Sequence, residues 1–157
     1  MSEAPTANVA IAAALSGALV LTSLHSRNAC GAIDRLGELG LSRQALAASL
    51  TGILAQRLIR RLCTVCKRLS FDEPGTYAPT GCGLCDGSGY LGRIGIYECV
   101  EISDDVRAGI AQGASSHTIA TIAAKDDHEP MLTAGLRRVT DGSSSRDELR
   151  RVLGDVS

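Results

Sequence analysis

The sequence predicts an α/β protein with a metal-pinned lobe and a helical tail, and three observations carry that prediction. An Ala-rich helix pattern runs through a glycine into a short apolar run at residues 6–24. Two C-x-x-C pairs sit in a Gly- and Pro-rich stretch at 63–92. After residue 103 the chain breaks into short segments, each opened by a serine or a proline. The 157 residues suit one ordinary domain or two small lobes. The reading divides them into 1–61, 62–102 and 103–157.

The first element spans TANVAIAAALS (6–16), with Thr6 as its cap and Gly17 as its stop. ALVLTSL (18–24) follows as a short buried strand ending in His25. A helix followed by a strand covered on both faces is the layering of an α/β protein. The same apolar run, 9–24, is not expected to be an export signal or an anchor. No Lys or Arg precedes it, Ser16-Gly17 interrupts it, and it is short for a bilayer span. The expectation is a cytosolic chain with reduced thiols. A second helix covers about 28–39 and stops at Gly40. Ser42 caps a third, read as running to 61, because Leu46, Leu50, Leu54, Leu58 and Leu62 recur every four residues as one apolar stripe. On that helix Arg57, Arg60 and Arg61 share a face, either solvated or turned toward a neighbour or a nucleotide.

From Cys63 to Gly92 the composition is that of a loop. IGIYECVEI (94–102) reads as a strand with Ile94, Ile96, Glu98, Val100 and Ile102 on one face; Glu98 makes the alternation imperfect. Four helices then follow. Ser103 opens one ending near Gly113, and Ser115 or Ser116 opens the next. Pro130 is the first helical residue of a third closed by Gly142, and Ser145 with Glu148 forms a capping box for the last.

Balanced charge, net −1, argues against a protein that grips nucleic acid or an anionic membrane. Aromatics make up 3%, too few for base-stacking platforms.

Cys63 and Cys66 form one knuckle and Cys82 and Cys85 the other, in the C-x2-C…C-x2-C spacing of a zinc site. Four thiolates close a tetrahedron around Zn²⁺ and leave no position for water, so such a metal is structural. Glycines 81, 83, 87 and 89 permit the turns. The alternatives are two disulfides, disfavoured in a cytosol, and a redox C-x-x-C, which needs one pair rather than two. A lobe so poor in large apolar groups gains from a zinc ion worth about 10–16 kcal/mol. Arg60, Arg61, Lys67 and Arg68 lie nearby in sequence to offset its negative charge. Cys30 and Cys99 read as small buried hydrophobes.

LVLTSLHSRNACGAIDRL (19–36), AQRLIRRLC (55–63), GCGLCDGSGYLGRIGIYE (81–98) and the tail HEPMLTAGLRRVTDGSSSRDELRRVL (128–153) follow one another in order. As a set they resemble the C-terminal part of the secretion ATPases, the general secretion pathway protein E and type IV pilus assembly family. The resemblance implies a partial RecA-like ATPase core over 1–61, a tetracysteine zinc lobe over 62–102 and a helical subdomain over 103–157. It implies a cytoplasmic homo-hexameric motor, peripheral to the inner membrane. Such a motor uses ATP and Mg²⁺ and works with membrane platform proteins, without nucleic acid and without inserting into the bilayer. It places His25 on the nucleotide phosphate side; a lone loop histidine is otherwise a solvated side chain.

Two departures stand out. The family needs a G-x-x-x-x-G-K-[ST] loop to cradle phosphates and Mg²⁺. Here the only lysines, Lys67 and Lys125, follow Cys66 and Ala124, so no such loop is present and hydrolysis by this chain alone is not expected. The gap between the knuckles is also shorter than is usual among secretion members. Two rivals remain. CGLCDGSG (82–89) matches the zinc repeat of DnaJ-type chaperones, although CTVCKRLS does not and no HPD tripeptide occurs. A nucleic-acid-binding zinc ribbon is the other, opposed by the charge balance.

Overall fold

The computed structural model describes residues 3–126 and 128–154. Its contacts divide the chain into two units, each built from two stretches of sequence. One comprises Met1–Ala55 with Glu98–Glu129, the other Gln56–Tyr97 with Pro130–Ser157. The division therefore cuts across the three consecutive segments drawn from the sequence. The two long strands, β1 (Gly52–Leu62) and β4 (Tyr90–Glu101), pair with each other and give one end to each unit.

The first unit holds α1 (Ala4–Leu15), α2 (Gly31–Glu38), α3 (Arg43–Ser49), α4 (Asp104–Ala111) and α5 (Ser116–Ala123). Here α3 packs on α1, α2 and α4, and α5 packs on α2 and α4. Ile33, Leu36, Leu46, Val100, Val106, Ile110 and Ile119 form its buried core. The α4–α5 approach is close: a Cβ at Gly109 would stand 2.9 Å from Cδ1 of Ile119. Arg107 closes the end of α3 from outside. Its Nη1 donates to the carbonyls of Ala47 and Leu50, and its Nη2 to that of Ile102 at 3.3 Å. The carbonyls of Ala47 and Leu50 are orphan acceptors of the kind that every helix end leaves.

The second unit adds the short hairpin β2 (Arg68–Leu69) and β3 (Tyr77–Ala78), a 3-10 turn at Gly83–Cys85, α6 (Met131–Thr140) and α7 (Arg146–Leu153). Helices α6 and α7 meet at Gly135, where a Cβ would lie 2.3 Å from Cδ1 of Leu149. The turn before α7 is stitched to β1: Leu62 N–H donates to the Ser143 carbonyl at 2.9 Å, and Ser144 Oγ to that of Arg60 at 2.8 Å.

The serine caps are where the sequence places them. Ser42, Ser103, Ser115 and Ser145 each accept from the backbone N–H three residues on. Glycines 17 and 40 stop α1 and the end of α2 with φ of +97° and +88°.

Seven expectations need correction. The first helix begins at Ala4, with Glu3 at its N-cap and a proline in its first turn, so Thr6 lies inside it. Residues 18–24 form no strand; Leu19 is 83% and Leu21 87% exposed. A strand needs ladder partners, and the two sheets among the described residues are two-stranded pairs that do not include this segment. The third helix ends at Ser49, and Gly52–Leu62 is a strand with Ala55, Ile59 and Leu62 buried and Leu54 and Leu58 exposed. A four-residue repeat is even, so it suits strand alternation as well as a helix face. Arg57, Arg60 and Arg61 consequently share no helix face. Pro130 is the N-cap of α6 rather than its first residue, and Glu148 completes no capping box because its carboxylate is engaged elsewhere. Cys99 is exposed, on the outward face of β4.

Candidate metal centre

Cys63 follows β1 directly, and the first knuckle closes where Lys67 N–H donates to the Cys63 carbonyl at 3.0 Å. Thr80 Oγ1 donates to the carbonyl of Cys66 and ties the two knuckles together. The second knuckle is the 3-10 turn itself. Cys82 precedes it in extended conformation, and Asp86 leaves it at φ +50°, the left-handed region. Cys82 O accepts from both Cys85 N at 3.2 Å and Gly87 N at 3.0 Å. Gly89 then makes the return. Its carbonyl accepts from Cys63 N–H at 2.9 Å, which joins the second knuckle to the first.

Glycine is required at two of these positions. Gly81 has φ +95°, and a Cβ there would sit 2.4 Å from the Gly87 carbonyl oxygen. Gly89 has φ +74°, and a Cβ there would sit 2.4 Å from Cβ of Pro79. Any other residue would meet backbone strain and a collision together.

The result is a convergence of all four sulfur atoms. Those of Cys63, Cys66, Cys82 and Cys85 lie within 4.8 Å of one another. The Cys63–Cys82, Cys66–Cys85 and Cys82–Cys85 separations are 3.9, 3.8 and 3.7 Å. A disulfide would need about 2.05 Å. A tetrahedral tetrathiolate with metal–sulfur bonds of about 2.3 Å has sulfur–sulfur edges of about 3.8 Å. The donor set therefore fits one ion of zinc's size and softness, and leaves no open position on it. Cys63, Cys66 and Cys85 are buried, with Cys82 half-buried against them.

The electrostatics do not come from the nearby basic residues. Arg60 is bound to Glu148, while Lys67 Nζ donates to the Gly142 carbonyl at 2.7 Å and stands over the Tyr77 ring. Arg61 and Arg68 are exposed. Backbone amides take the compensating part: Cys82 N–H and Gly89 N–H each donate to Cys85 Sγ at 3.2 Å. Burial opposes ionising Cys85, but these two donors, with the thiols of Cys66 and Cys82, outweigh it and bring the thiol down to about 6. Cys82 is the opposite case. The Cys85 backbone N–H favours its thiolate, yet burial and the thiols of Cys85 and Cys66 overcome that and push it up to about 11.

The chain belongs to the type II/IV secretion system protein family. That family matches residues 1–151. The type II secretion system protein HxcR of Pseudomonas aeruginosa is 39% identical over 96% of this chain, and the match covers 32% of that relative. The type IV pilus assembly ATPase TfpB of Acinetobacter baylyi is 37% identical over 94% of this chain and 28% of its own length. Type II secretion system protein E of Dickeya dadantii is 40% identical, over 96% and 32%. This family member thus spans about a third of the length of these relatives.

His25, the phosphate-side candidate, is exposed in the irregular segment between α1 and α2. Cys30 is buried, and burial followed by the charges of Glu98 and Asp34 pushes its thiol up to about 11, so it is an inert packing group. Two buried polar sites escaped sequence reasoning. His128 Nε2 lies 3.1 Å from Glu98 Oε1 with both side chains 5% exposed. Glu148, fully buried, binds Arg60 and Arg151. The signal for the first was Glu98 itself, an acid on the apolar face of a strand. Among the described residues no helix is long and apolar enough to cross a membrane.

Proposed function

We propose that this chain is the C-terminal portion of a cytoplasmic, homo-hexameric ATPase that powers type II secretion or type IV pilus assembly. Its own part is structural and connective. Cys63, Cys66, Cys82 and Cys85 hold one Zn²⁺ that shapes the 62–102 lobe. The 1–61 segment supplies part of a RecA-like core, and 103–157 a helical subdomain. His25 faces the nucleotide phosphates in the assembled motor. ATP and Mg²⁺ are bound by a phosphate loop contributed from outside this sequence, so the chain alone does not hydrolyse ATP. Its partners are further ATPase subunits and the membrane platform proteins that hold the motor at the inner membrane.

The observation that carries this reading is the tetrathiolate geometry of the four sulfurs in a chain matched to the family over 1–151. The unpaired apolar segment at 18–24 supports it further. Leu21, Val20 and Leu24 line an apolar cavity of about 420 Å³ with Ile11, Leu50 and Leu54, an edge suited to receiving a neighbouring strand. The test is complementation. The chain is mixed with the P-loop-bearing remainder of a relative, and ATP turnover and sedimentation are measured. Turnover in the mixture and in neither part alone is the expected result. No turnover together with no association would reject the reading.

A further inference from the structure

On the second unit, Leu58, Arg60, Arg93 and Arg151 line a recess of about 340 Å³. Three guanidinium groups in one small recess repel one another unless something anionic holds them together. One such group is present. Glu148, fully buried, accepts from Arg60 Nε at 2.8 Å and from Arg151 Nε and Nη2 at 2.7 Å each. It also accepts from the Arg60 backbone N–H at 2.9 Å. The guanidinium of Arg60 lies 4.0 Å over the centre of the Tyr90 ring, and Tyr90 is anchored in turn by a 2.7 Å bond between its hydroxyl and Ser145 Oγ. Two of the three arginines are therefore held in place before any ligand arrives.

The charge is not balanced by this arrangement. Arg60 and Arg151 share one carboxylate and Arg93 stands beside them in the same recess, which leaves a local excess of two positive charges. Arg93 has no partner among the described residues. Among the described residues, the Nη1 groups of Arg60 and Arg151 make no further bond, and Arg93 has all five of its donors unengaged. Fixed guanidinium forks with spare donors are the chemistry that recognises oxyanions. The excess of two charges selects a dianion over a single carboxylate, which would leave one charge uncompensated.

We propose that Arg60, Arg93 and Arg151 form a binding site for a phosphate dianion, with Arg93 as its ligand-dedicated member. This site is independent of the metal centre and of the ATPase assignment. A phosphate group can reach it as free phosphate, on a nucleotide or on a lipid headgroup, and the recess reads the shared group.

The experiment uses the full zinc-loaded chain, labelled with ¹⁵N and titrated with inorganic phosphate and with acetate at constant ionic strength. Phosphate is expected to shift amides near residues 58–60, 90–93 and 148–151 and to bind more tightly than acetate. Arg93→Gln, which touches none of the Glu148 bonds, is expected to weaken phosphate by about tenfold or more, and Arg93→Lys by less. Circular dichroism of Arg93→Gln should match the parent. Equal responses to phosphate and acetate, or unaltered phosphate binding in Arg93→Gln, would overturn the proposal. Competition by ATP without Mg²⁺, or by phosphatidic acid vesicles but not phosphatidylcholine vesicles, assigns the phosphate to a nucleotide or a lipid. Competition by neither assigns it to free phosphate.

Discussion

Replacing Glu148 with glutamine should destabilise the protein by about 2–4 kcal/mol. The carboxylate is fully buried and accepts from the Arg60 backbone and from the side chains of Arg60 and Arg151, all within 2.7–2.9 Å. Glutamine keeps the shape but turns an amide toward donors and removes the charge. Breaking a fully buried ion pair costs about 3–5 kcal/mol. Here the side chains of Arg60 and Arg151 are 41% and 58% exposed, so they regain water and the cost falls below the top of that range. The Arg60 amide, pinned in β1, has no such escape. Urea unfolding of the metal-loaded protein at neutral pH, followed by circular dichroism, measures the difference.

The pH dependence adds a second readout. Burial alone would raise the Glu148 pKa, but bonds from Arg151 and Arg60 outweigh it and bring it down to about 2. A carboxyl whose folded pKa is depressed stabilises the fold above its unfolded pKa, near 4.5, and loses that contribution as pH falls toward 2. The parent's advantage over Glu148→Gln should therefore be flat from pH 8 to about pH 5 and shrink below about pH 4.5. A difference under about 1 kcal/mol at pH 7, or one that stays constant down to pH 3, would refute this account of how α7 is held to β1.

Removal of metal by a strong chelator should open residues 62–102 to proteolysis, and one equivalent of Zn²⁺ should restore protection; unchanged cleavage in chelator would discount the tetrathiolate as a structural element. Gly89→Ala combines a left-handed backbone with a 2.4 Å approach to Pro79 and should cost about 2 kcal/mol or more while weakening metal retention, measured by denaturation and by elemental analysis. Cys85→Ser removes the thiol that receives two backbone N–H bonds and should lower bound metal more than Cys99→Ser, whose exposed side chain lies outside the cluster. Arg107→Met leaves carbonyls of Ala47, Leu50 and Ile102 without their donor and should lower stability by about 1–3 kcal/mol in thermal denaturation.

What could be read from the sequence is what depends on neighbours in the chain. A serine cap bonds three residues ahead, so Ser42, Ser103, Ser115 and Ser145 were each visible, and a C-x-x-C turn needs only its own glycines. The sulfur convergence was legible for the same reason, because each pair is local and only the meeting of the pairs is not. The failures share the opposite character. Whether 50–61 is helix or strand depends on β4, some forty residues on, because a leucine every four positions fits both periods. The Gly52 break and the β-branched Ile53 and Ile59 were the only local hints. Residues 18–24 have the composition of a buried strand, but neither two-stranded sheet among the described residues includes them, and Leu19 and Leu21 stay exposed. Glu148 was read as a local capping residue when its carboxylate in fact serves an arginine 88 positions away. A buried acid near the end of a chain is thus informative in a way that its own segment cannot be: it requires a distant cation, and here the cations it gathers leave a surplus that points outward to a ligand.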